Sequence, residues 1–347
     1  MSGETAREAP PSADRSLLYA VVASAALVVV AIAGGVGISR LSRATPRPSP
    51  SPPAAFVRAS PTEPPDTGPL VFTQPLSAGC VAGAGVYVVS DGGGIGRFAF
   101  DRWQLIDPVA RSLVATTCQG DRLTAIGGGG RVLTIDDRDQ TIRSDAVQIE
   151  DFLGVAPLAD GLLVVGRQGT VERQGPGGWG VYASGIDEDL YAVAAFGPGS
   201  AWAIGAGGVT YRLEPAGWRP VVTGVTATLR AIAARSVDDA VIVGDDGTIL
   251  FWRAGWTRID APTGLAFRAA LRVGGDVYVA GDGGTLFRFT TAGLAAPVLV
   301  AVDLGTTCTL RGLFSRGAEL WVVGSDAGRA AVWRVGPSGT FHWGECP

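Results

Sequence analysis

Short apolar runs alternate with glycine turns at a spacing of about 39 residues along most of the chain. The turns are Gly127–Gly130, Gly166–Gly169, Gly205–Gly208, Gly244–Gly247 and Gly281–Gly284. A run rich in Val and Ile precedes each turn, and a run of alternating apolar and polar residues follows it. Runs of this kind, bounded by Gly, Asp, Ser or Pro, predict short β-strands.

Seven copies of this unit fit between Leu76 and Pro347, a stretch of 272 residues that divides into units of about 39. The copies start near Ser77, Leu113, Phe152, Leu190, Leu229, Phe267 and Leu310. The second run of each copy is apolar on both faces, so neighbouring copies must cover it. Four short strands per unit, repeated seven times, predict an all-β, seven-bladed β-propeller.

Tryptophans recur at the start of the predicted fourth strand of a unit. They are Trp103, Trp179, Trp218, Trp256 and Trp343, with Ile142 and Leu294 at the skipped positions. Because apolar residues replace tryptophan there, we interpret these side chains as packing between blades and not as a ligand cage.

Two alternatives remain for closing the ring of blades. Gly339–Cys346 supplies the outer strand of the last blade, or Pro69–Gln74 joins that blade from the other end of the chain. A join of the two chain ends removes the weakest point of a ring, so we expect residues 69–75 to take part in the last blade.

The first 68 residues differ in composition from the repeats. Residues 1–15 are polar and predict a disordered tail, and residues 16–38, uncharged from Leu17 to Ile38, predict a transmembrane helix. Residues 39–68 predict a Pro-rich linker, since eight prolines lie between positions 45 and 68, and residues 69–347 form the predicted propeller.

The membrane orientation depends on opposing signals. Arg7 and Arg15 precede the span and Arg40, Arg43 and Arg47 follow it, a balance that leans towards a cytoplasmic C-terminus. A Pro-rich stalk and cysteines that suit an oxidising compartment favour the opposite. We expect a single-pass protein of the cytoplasmic (inner) membrane with its C-terminal domain outside.

The cysteines allow two bridges. Cys80 and Cys118 lie in the first strands of adjacent units, and Cys308 and Cys346 lie on the same side of the last unit. The alternative is four buried free thiols, since an even count alone does not establish pairing.

Charge and composition limit the kinds of ligand. The net charge is −4 and all 28 basic residues are Arg without a cluster, so we expect no nucleic acid partner. A single histidine and no Cys-x-x-Cys predict no metal site and no cofactor. Calcium is the alternative considered for acidic turns such as Asp245-Asp246. These turns lack the EF-hand spacing, and aspartate is an ordinary turn residue, so we do not predict a calcium site.

With Gly-x-x-Gly between the second and third strands and Trp at the fourth, the units resemble bacterial propeller repeats of the BNR-like and photosystem II stability/assembly-factor-like group. Tectonin-type repeats are similar. The strict Asp-box, Ser-x-Asp-x-Gly-x-x-Trp, is not matched. The resemblance implies an assembly scaffold, a carbohydrate binder or a glycosidase.

We therefore predict a non-catalytic module that binds a protein or a glycan through one propeller face. The glycine turns and the links between units emerge on the same side, and the candidate binding residues there are Arg167, Asp245, Asp246, Asp282 and Asp326. The alternative is a glycosidase-like hydrolase, which needs paired carboxylates in a pocket. The chain has no Gly-x-Ser-x-Gly and no histidine cluster.

Overall fold

Seven four-stranded antiparallel sheets make up a computed structural model of the protein, which describes residues 72, 74–106, 111–147, 150–182, 184–291 and 297–346. Each sheet, or blade, consists of four strands that are consecutive in the sequence, and their order across the sheet is the same as their order in the sequence. The blades are therefore a chain of β-meanders, as the repeat predicts.

The strand bounds follow the repeat closely. Blade 1 holds β1 (Leu76–Ala82), β2 (Gly85–Ser90), β3 (Ile95–Ala99) and β4 (Arg102–Ile106). Blade 2 holds β5 (Leu113–Gln119), β6 (Arg122–Gly127), β7 (Arg131–Asp136) and β8 (Ile142–Ala146). Blade 3 holds β9 (Phe152–Leu158), β10 (Gly161–Gly166), β11 (Val171–Gly175) and β12 (Gly178–Val181). Blade 4 holds β13 (Leu190–Gly197), β14 (Ser200–Gly205), β15 (Thr210–Glu214) and β16 (Gly217–Pro220).

The remaining three blades complete the ring. Blade 5 holds β17 (Leu229–Ser236), β18 (Asp239–Gly244), β19 (Ile249–Trp252) and β20 (Trp256–Arg258). Blade 6 holds β21 (Phe267–Val273), β22 (Asp276–Gly281), β23 (Leu286–Thr290) and β24 (Val300–Ala301). Blade 7 holds β25 (Thr309–Arg316), β26 (Glu319–Asp326), β27 (Arg329–Gly336) and β28 (Gly339–Gly344). First strands contact one another all the way round, from β1 to β25 and back to β1, which confirms the seven-bladed propeller.

The glycine turns lock each blade to its neighbour through the main chain. At Gly166–Gly169 the Arg167 amide donates to the Asp151 carbonyl (3.1 Å), and the Gly169 amide donates to the Glu188 carbonyl (2.9 Å). A Cβ at Gly166 would lie 2.2 Å from the Asp151 oxygen, and one at Gly169 would lie 1.7 Å from the Ile186 oxygen. The Gly-x-x-Gly pattern thus follows from two close approaches of the backbone.

Apolar side chains fill the spaces between blades. Seven buried clusters occur among the described residues, and each joins facing strands of adjacent blades. Trp202 packs edge-on against Trp252 and close to Trp256 of the next blade, with ring centroids 5.1 and 5.3 Å away. The repeated tryptophans are therefore part of the packing between blades.

Two sequence interpretations need correction at the junction of the first and last blades. Trp343 is the fifth residue of β28 and does not open it, because this strand starts at Gly339. The outer strand of blade 7 comes from the C-terminus, the first of the two closures considered. Phe72 packs beside the cluster between blades 7 and 1 without adding a strand.

The predicted tail, the predicted span at 16–38 and the linker lie outside the described residues, as does Leu294. Within the described ranges, no helix has the length and apolar character that a bilayer crossing requires.

Candidate functional site

The predicted binding residues cluster at one surface of the ring, which we call the turn face. It consists of the glycine turns together with the connections from each blade to the next, and the turns donate main-chain hydrogen bonds to those connections. Arg167, Asp245, Asp246 and Asp282 lie in these turns, and Asp326 ends β26 at the same surface. The opposite surface, which carries the other hairpin turns, we call the far face.

Two of the predicted aspartates hold arginines of the first strands. Asp245 binds Arg230 through two hydrogen bonds of 2.8 Å. Asp282 binds Arg268 at 2.5 and 2.9 Å. The hydrogen bond from Arg268 lowers the pKa of the Asp282 carboxyl, against the effect of its partial burial. Paired oxygens fix both arginine side chains in position.

The other predicted residues have different surroundings. Arg167 lies between Asp151 and Asp189, at 3.1 Å from each carboxylate. Asp326 is 3.8 Å from Arg329, and Asp246 has a positive φ of 57° as a turn residue. Charged side chains of the turn face thus make ion pairs with one another, which order the surface.

Sequence reasoning missed the first-strand residues that lie beside these turns, two of which the aspartates hold. In blades 4 to 7, the residue that follows the first buried leucine or phenylalanine of the first strand is polar or charged. These residues are Tyr191, Arg230, Arg268 and Arg311. The Arg230 guanidinium lies over the Tyr191 ring, 5.3 Å from its centroid, and Arg311 donates to the Ser325 hydroxyl at 2.9 Å. We call these four residues the arc. Alignment of the first strands would have shown them.

Apolar side chains lie beyond the arc on the turn face. Val181, Val222 and Leu265 end fourth strands or lie in the connections of blades 3 to 5, and they are 82%, 89% and 46% exposed. Fixed arginines, a tyrosine and exposed apolar side chains form the composition that is enriched in protein interfaces.

The central channel is lined by the first strands and is mostly apolar. A cavity of about 330 Å³ there is bordered by Val155, Phe196, Ile232, Leu271 and Arg272, among others. The seven first strands contain no Asp or Glu. No observation on the channel lining therefore favours the paired carboxylates that the hydrolase alternative requires.

The four cysteines form two bridges in the structure. Cys80 joins Cys118 across blades 1 and 2, and Cys308 joins Cys346 within blade 7. Their Cα atoms are 5.9 and 6.0 Å apart, within the usual range for disulfides.

A pair of side chains recurs where one blade faces the next, on the half of the interface nearer the far face. A large residue of the second strand lies opposite an arginine of the third strand. The pairs are Tyr87–Arg97, Leu163–Arg173, Trp202–Arg212, Tyr278–Arg288 and Trp321–Arg334. We call each pair a wedge. A carboxylate lies within 2.6 to 3.8 Å of every wedge arginine, from Asp137, Asp160, Asp238, Asp276 and Glu319.

The wedge of blade 1 shows how these groups cooperate. Asp137 of blade 2 accepts hydrogen bonds from the Tyr87 hydroxyl (2.6 Å), the Arg97 Nε (2.8 Å) and the Ala84 amide (3.1 Å). Burial alone would raise the pKa of the Asp137 carboxyl, but these three hydrogen bonds together with the Arg97 charge lower it. The carboxylate therefore stays ionised between the blades.

Blade 2 has no wedge. Thr124 and Thr134 are opposite each other at the positions of the large residue and the arginine. Blade 5 has Val241 opposite Phe251 there, and Arg253 lies over that ring. Beside the two threonines, a cleft of about 590 Å³ opens between blades 2 and 3.

The charged side chains along this cleft are mostly unpaired. Its lining includes Arg122, Arg143, Asp136, Asp139, Asp145 and Asp160, four aspartates against two arginines, which gives a net charge of −2. In the described part of the chain only Asp160 makes an ion pair, with Arg173 of its own blade. No group of three or more His, Cys, Asp or Glu in the described ranges is placed to hold a metal ion.

Comparison with solved structures finds WD40 propellers at low sequence identity. The WD40 repeats of RRP9 match with a TM-score of 0.61 and 11% identity, over 72% of this chain and 87% of that chain. The WD40 β-propeller domain of Doa1 matches with a TM-score of 0.64 and 11% identity, over 75% and 93%. Identity this low shows the fold alone. No family model and no curated protein matches, so the narrower resemblance to BNR-like, assembly-factor-like and tectonin repeats stays a prediction.

Proposed function

We propose that this protein is a membrane-anchored, extracytoplasmic, non-catalytic binding module whose turn face takes a protein partner. The observation that supports it is the arc, in which four consecutive blades place Tyr191, Arg230, Arg268 and Arg311 around one mouth of the channel. Bidentate aspartates hold two of the arginines, so little side-chain entropy is lost when a partner binds.

The position of the arc also fits a partner of macromolecular size. The exposed Val181, Val222 and Leu265 extend the surface outward from the arc, so a large partner would cover polar and apolar groups together. The propeller supplies a rigid base, because main-chain hydrogen bonds lock the turns to the connections between blades.

The location is part of the proposal and rests on the sequence and the cysteines. An uncharged stretch from Leu17 to Ile38 is long enough to span a bilayer, and two disulfides suit an oxidising compartment. Alkaline phosphatase fused after residue 70 should be active in cells. An inactive fusion of normal abundance would place the propeller on the cytoplasmic side.

Photo-crosslinking in cells tests the turn face with a matched control. Val222 on the turn face and Phe100 in a far-face turn are 89% and 87% exposed, so a benzoylphenylalanine at either position is equally accessible. We expect a discrete protein adduct from position 222 and none from position 100. Adducts of equal yield from both positions, or none from 222, would contradict the proposal.

The arc variants then connect that adduct to the proposed residues. Tyr191→Ala with Arg311→Ala should abolish the adduct. Arg102→Ala with Arg316→Ala changes exposed arginines at the far-face ends of β4 and β25 and should leave the adduct unchanged. If the arc variant keeps the full adduct, the arc is not the binding surface. Loss of binding after enzymatic removal of glycans from the partner would assign the turn face to a glycan instead.

A further inference from the structure

The cleft between blades 2 and 3 is a specific departure from the repeat. Five blades fill this space with a large side chain and an arginine, whereas blade 2 has Thr124 and Thr134. Thr124 and Thr134 have shorter side chains than the residues they replace, and among the described residues the buried cluster at this interface consists of Ile126, Val132, Phe152 and Val164. Departures from an otherwise consistent pattern concentrate at functional sites.

A buried carboxyl group supplies a second, independent observation. Glu172 of β11 is 3% exposed and has no hydrogen-bond or ion-pair partner through its side chain among the described residues. The equivalent residues of the other blades are Gly96, Leu133, Tyr211, Leu250, Phe287 and Trp333. Burial raises the pKa of the Glu172 carboxyl. An unpartnered carboxyl in place of an apolar side chain is costly for folding alone.

The register of blade 3 places Glu172 on the cleft side. Leu162 pairs with Gln174 and Val164 pairs with Glu172, so all four side chains lie on the same face of the sheet. Leu162 and Gln174 line the cleft, and Val164 belongs to the cluster shared with blade 2. Glu172 is therefore one step further into the interface from the cleft wall.

The charges around the missing wedge of blade 2 indicate what kind of group the cleft would bind. In the sister blades the same space holds a guanidinium beside a carboxylate, as Arg97 does beside Asp137 at 2.8 Å. The cleft keeps carboxylates but has no wedge arginine, and Asp145 makes no ion pair within the described ranges. Asp136 accepts a hydrogen bond from the Arg138 amide, and Asp139 accepts from the Thr141 amide and side chain, so neither carboxylate holds a guanidinium within ion-pair distance among the described residues.

We propose that the cleft between blades 2 and 3 binds an arginine side chain presented by an extended segment of a partner protein. The arginine replaces the missing wedge, with its guanidinium held by the cleft aspartates and directed towards Glu172. Arg122 and Arg143 line the same cleft and make no ion pair with any residue that the structure describes, so they donate to main-chain carbonyls of the segment. This site is separate from the turn face, since its lining comes from far-face turns and from the strands beside them and includes none of the arc or glycine-turn residues.

A defined peptide tests the proposal on the full-length chain in detergent. The probe is fluorescein-labelled Ac-Ser-Gly-Arg-Gly-Arg-Gly-Ser-NH2, and its control has citrulline, the uncharged isostere, in place of both arginines. Fluorescence anisotropy should show saturable binding of the arginine peptide at least about tenfold tighter than that of the control, as expected for lost charge-assisted hydrogen bonds. Equal affinity for the two peptides would overturn the proposal.

Substitutions in the protein locate the site. Thr124→Trp with Thr134→Arg builds a wedge in blade 2 and should abolish binding, and Asp145→Asn should weaken it by about tenfold. Asp238→Asn removes an exposed carboxylate near the blade 4 wedge and should change affinity by less than about twofold. Unchanged binding to the wedge-containing variant would contradict the assignment.

The test also distinguishes a glycan from a peptide. If maltotetraose bound the wild-type cleft, was excluded by the added wedge, and the arginine peptide did not bind, the proposal would be wrong and the cleft would be a saccharide site. Failure of the turn-face experiment with successful peptide binding would leave this proposal intact, because the two sets of variants share no residue.

Discussion

The interface between blades 1 and 2 and the interface between blades 2 and 3 are made from the same repeat but differ in what fills them. The first holds the Tyr87–Arg97 wedge with Asp137, a disulfide and a main-chain bond from Gly83 to Gly120. The second holds two threonines and an open cleft, with one side-chain hydrogen bond from Gln119 to the Leu158 carbonyl and a small apolar cluster. Fold stability therefore does not require a wedge at every interface, and its omission leaves space for a ligand.

The largest expected effect comes from breaking the filled interface. Arg97→Leu leaves the buried Asp137 carboxylate without its cation and should lower the free energy of unfolding by about 3–5 kcal/mol. Arg143→Leu at the open interface removes an exposed arginine that makes no ion pair within 4 Å among the described residues, and it should cost less than about 0.5 kcal/mol. Urea unfolding measures both. Equal losses would mean that the two interfaces do not differ energetically.

The disulfide at the filled interface should matter next. Cys80→Ala with Cys118→Ala releases a 38-residue connection between blades 1 and 2, and we expect a loss of about 2–4 kcal/mol. Thermal unfolding without reductant gives the comparison. Mass mapping of non-reduced protein prepared from membranes should find both bridges, and four free thiols would remove the support that they give to an extracytoplasmic location.

Filling the open interface should stabilise the protein modestly. Thr124→Trp with Thr134→Arg copies the blade 4 wedge into blade 2 and should add about 1–2 kcal/mol by filling space and pairing a cleft carboxylate. The shift in urea midpoint measures this gain. A loss of stability instead would show that the cleft is too narrow for a wedge and that the repeat comparison is wrong there.

The smallest expected effects are on the pH dependence of stability. The contribution of Asp137 at the filled interface and that of Glu172 at the open interface should change with pH in opposite directions. The lowered pKa of Asp137 gives stability that is present above the unfolded value of 3.8 and is lost as pH falls through the folded pKa. The raised pKa of Glu172 gives relative stability that is present below the unfolded value of 4.5 and is lost as pH rises through the folded pKa.

Melting curves between about pH 3 and pH 8 test those signs. The melting temperature of wild type minus that of Asp137→Asn should decrease as the pH is lowered. The melting temperature of wild type minus that of Glu172→Gln should decrease as the pH is raised towards neutral. Parallel curves for wild type and Glu172→Gln would show that Glu172 titrates normally, and the argument from its burial would fail.

Much of the fold could be predicted from the sequence, because the repeat marks where strands begin and where the backbone approaches too closely for any residue but glycine. Strands begin at Leu113, Phe152, Leu190, Leu229 and Phe267, as the spacing predicts. The paired glycines mark places where a Cβ would meet a carbonyl oxygen of a blade connection. Trp343 was misplaced because the last blade has a longer fourth strand, which a fixed spacing does not reveal.

The site could be predicted only in part. The turn aspartates could be chosen because the glycine turns and the links between units emerge on the same side of the ring. Their arginine partners lie on first strands and emerge only from the pairing of Asp245 with Arg230 and of Asp282 with Arg268. The cleft was missed because the absence of a wedge becomes visible only when the register places Thr124 opposite Thr134.

Hydrogen exchange by mass spectrometry, compared between wild type and Thr124→Trp with Thr134→Arg, tests the central claim most directly. That claim is that blades 2 and 3 are held together loosely because two threonines replace the wedge. Amides of β11 should exchange faster than those of β3, which carries Arg97 at the filled interface, and the added wedge should slow β11 selectively. Equal exchange of the two strands in wild type, with no change on adding the wedge, would contradict the account.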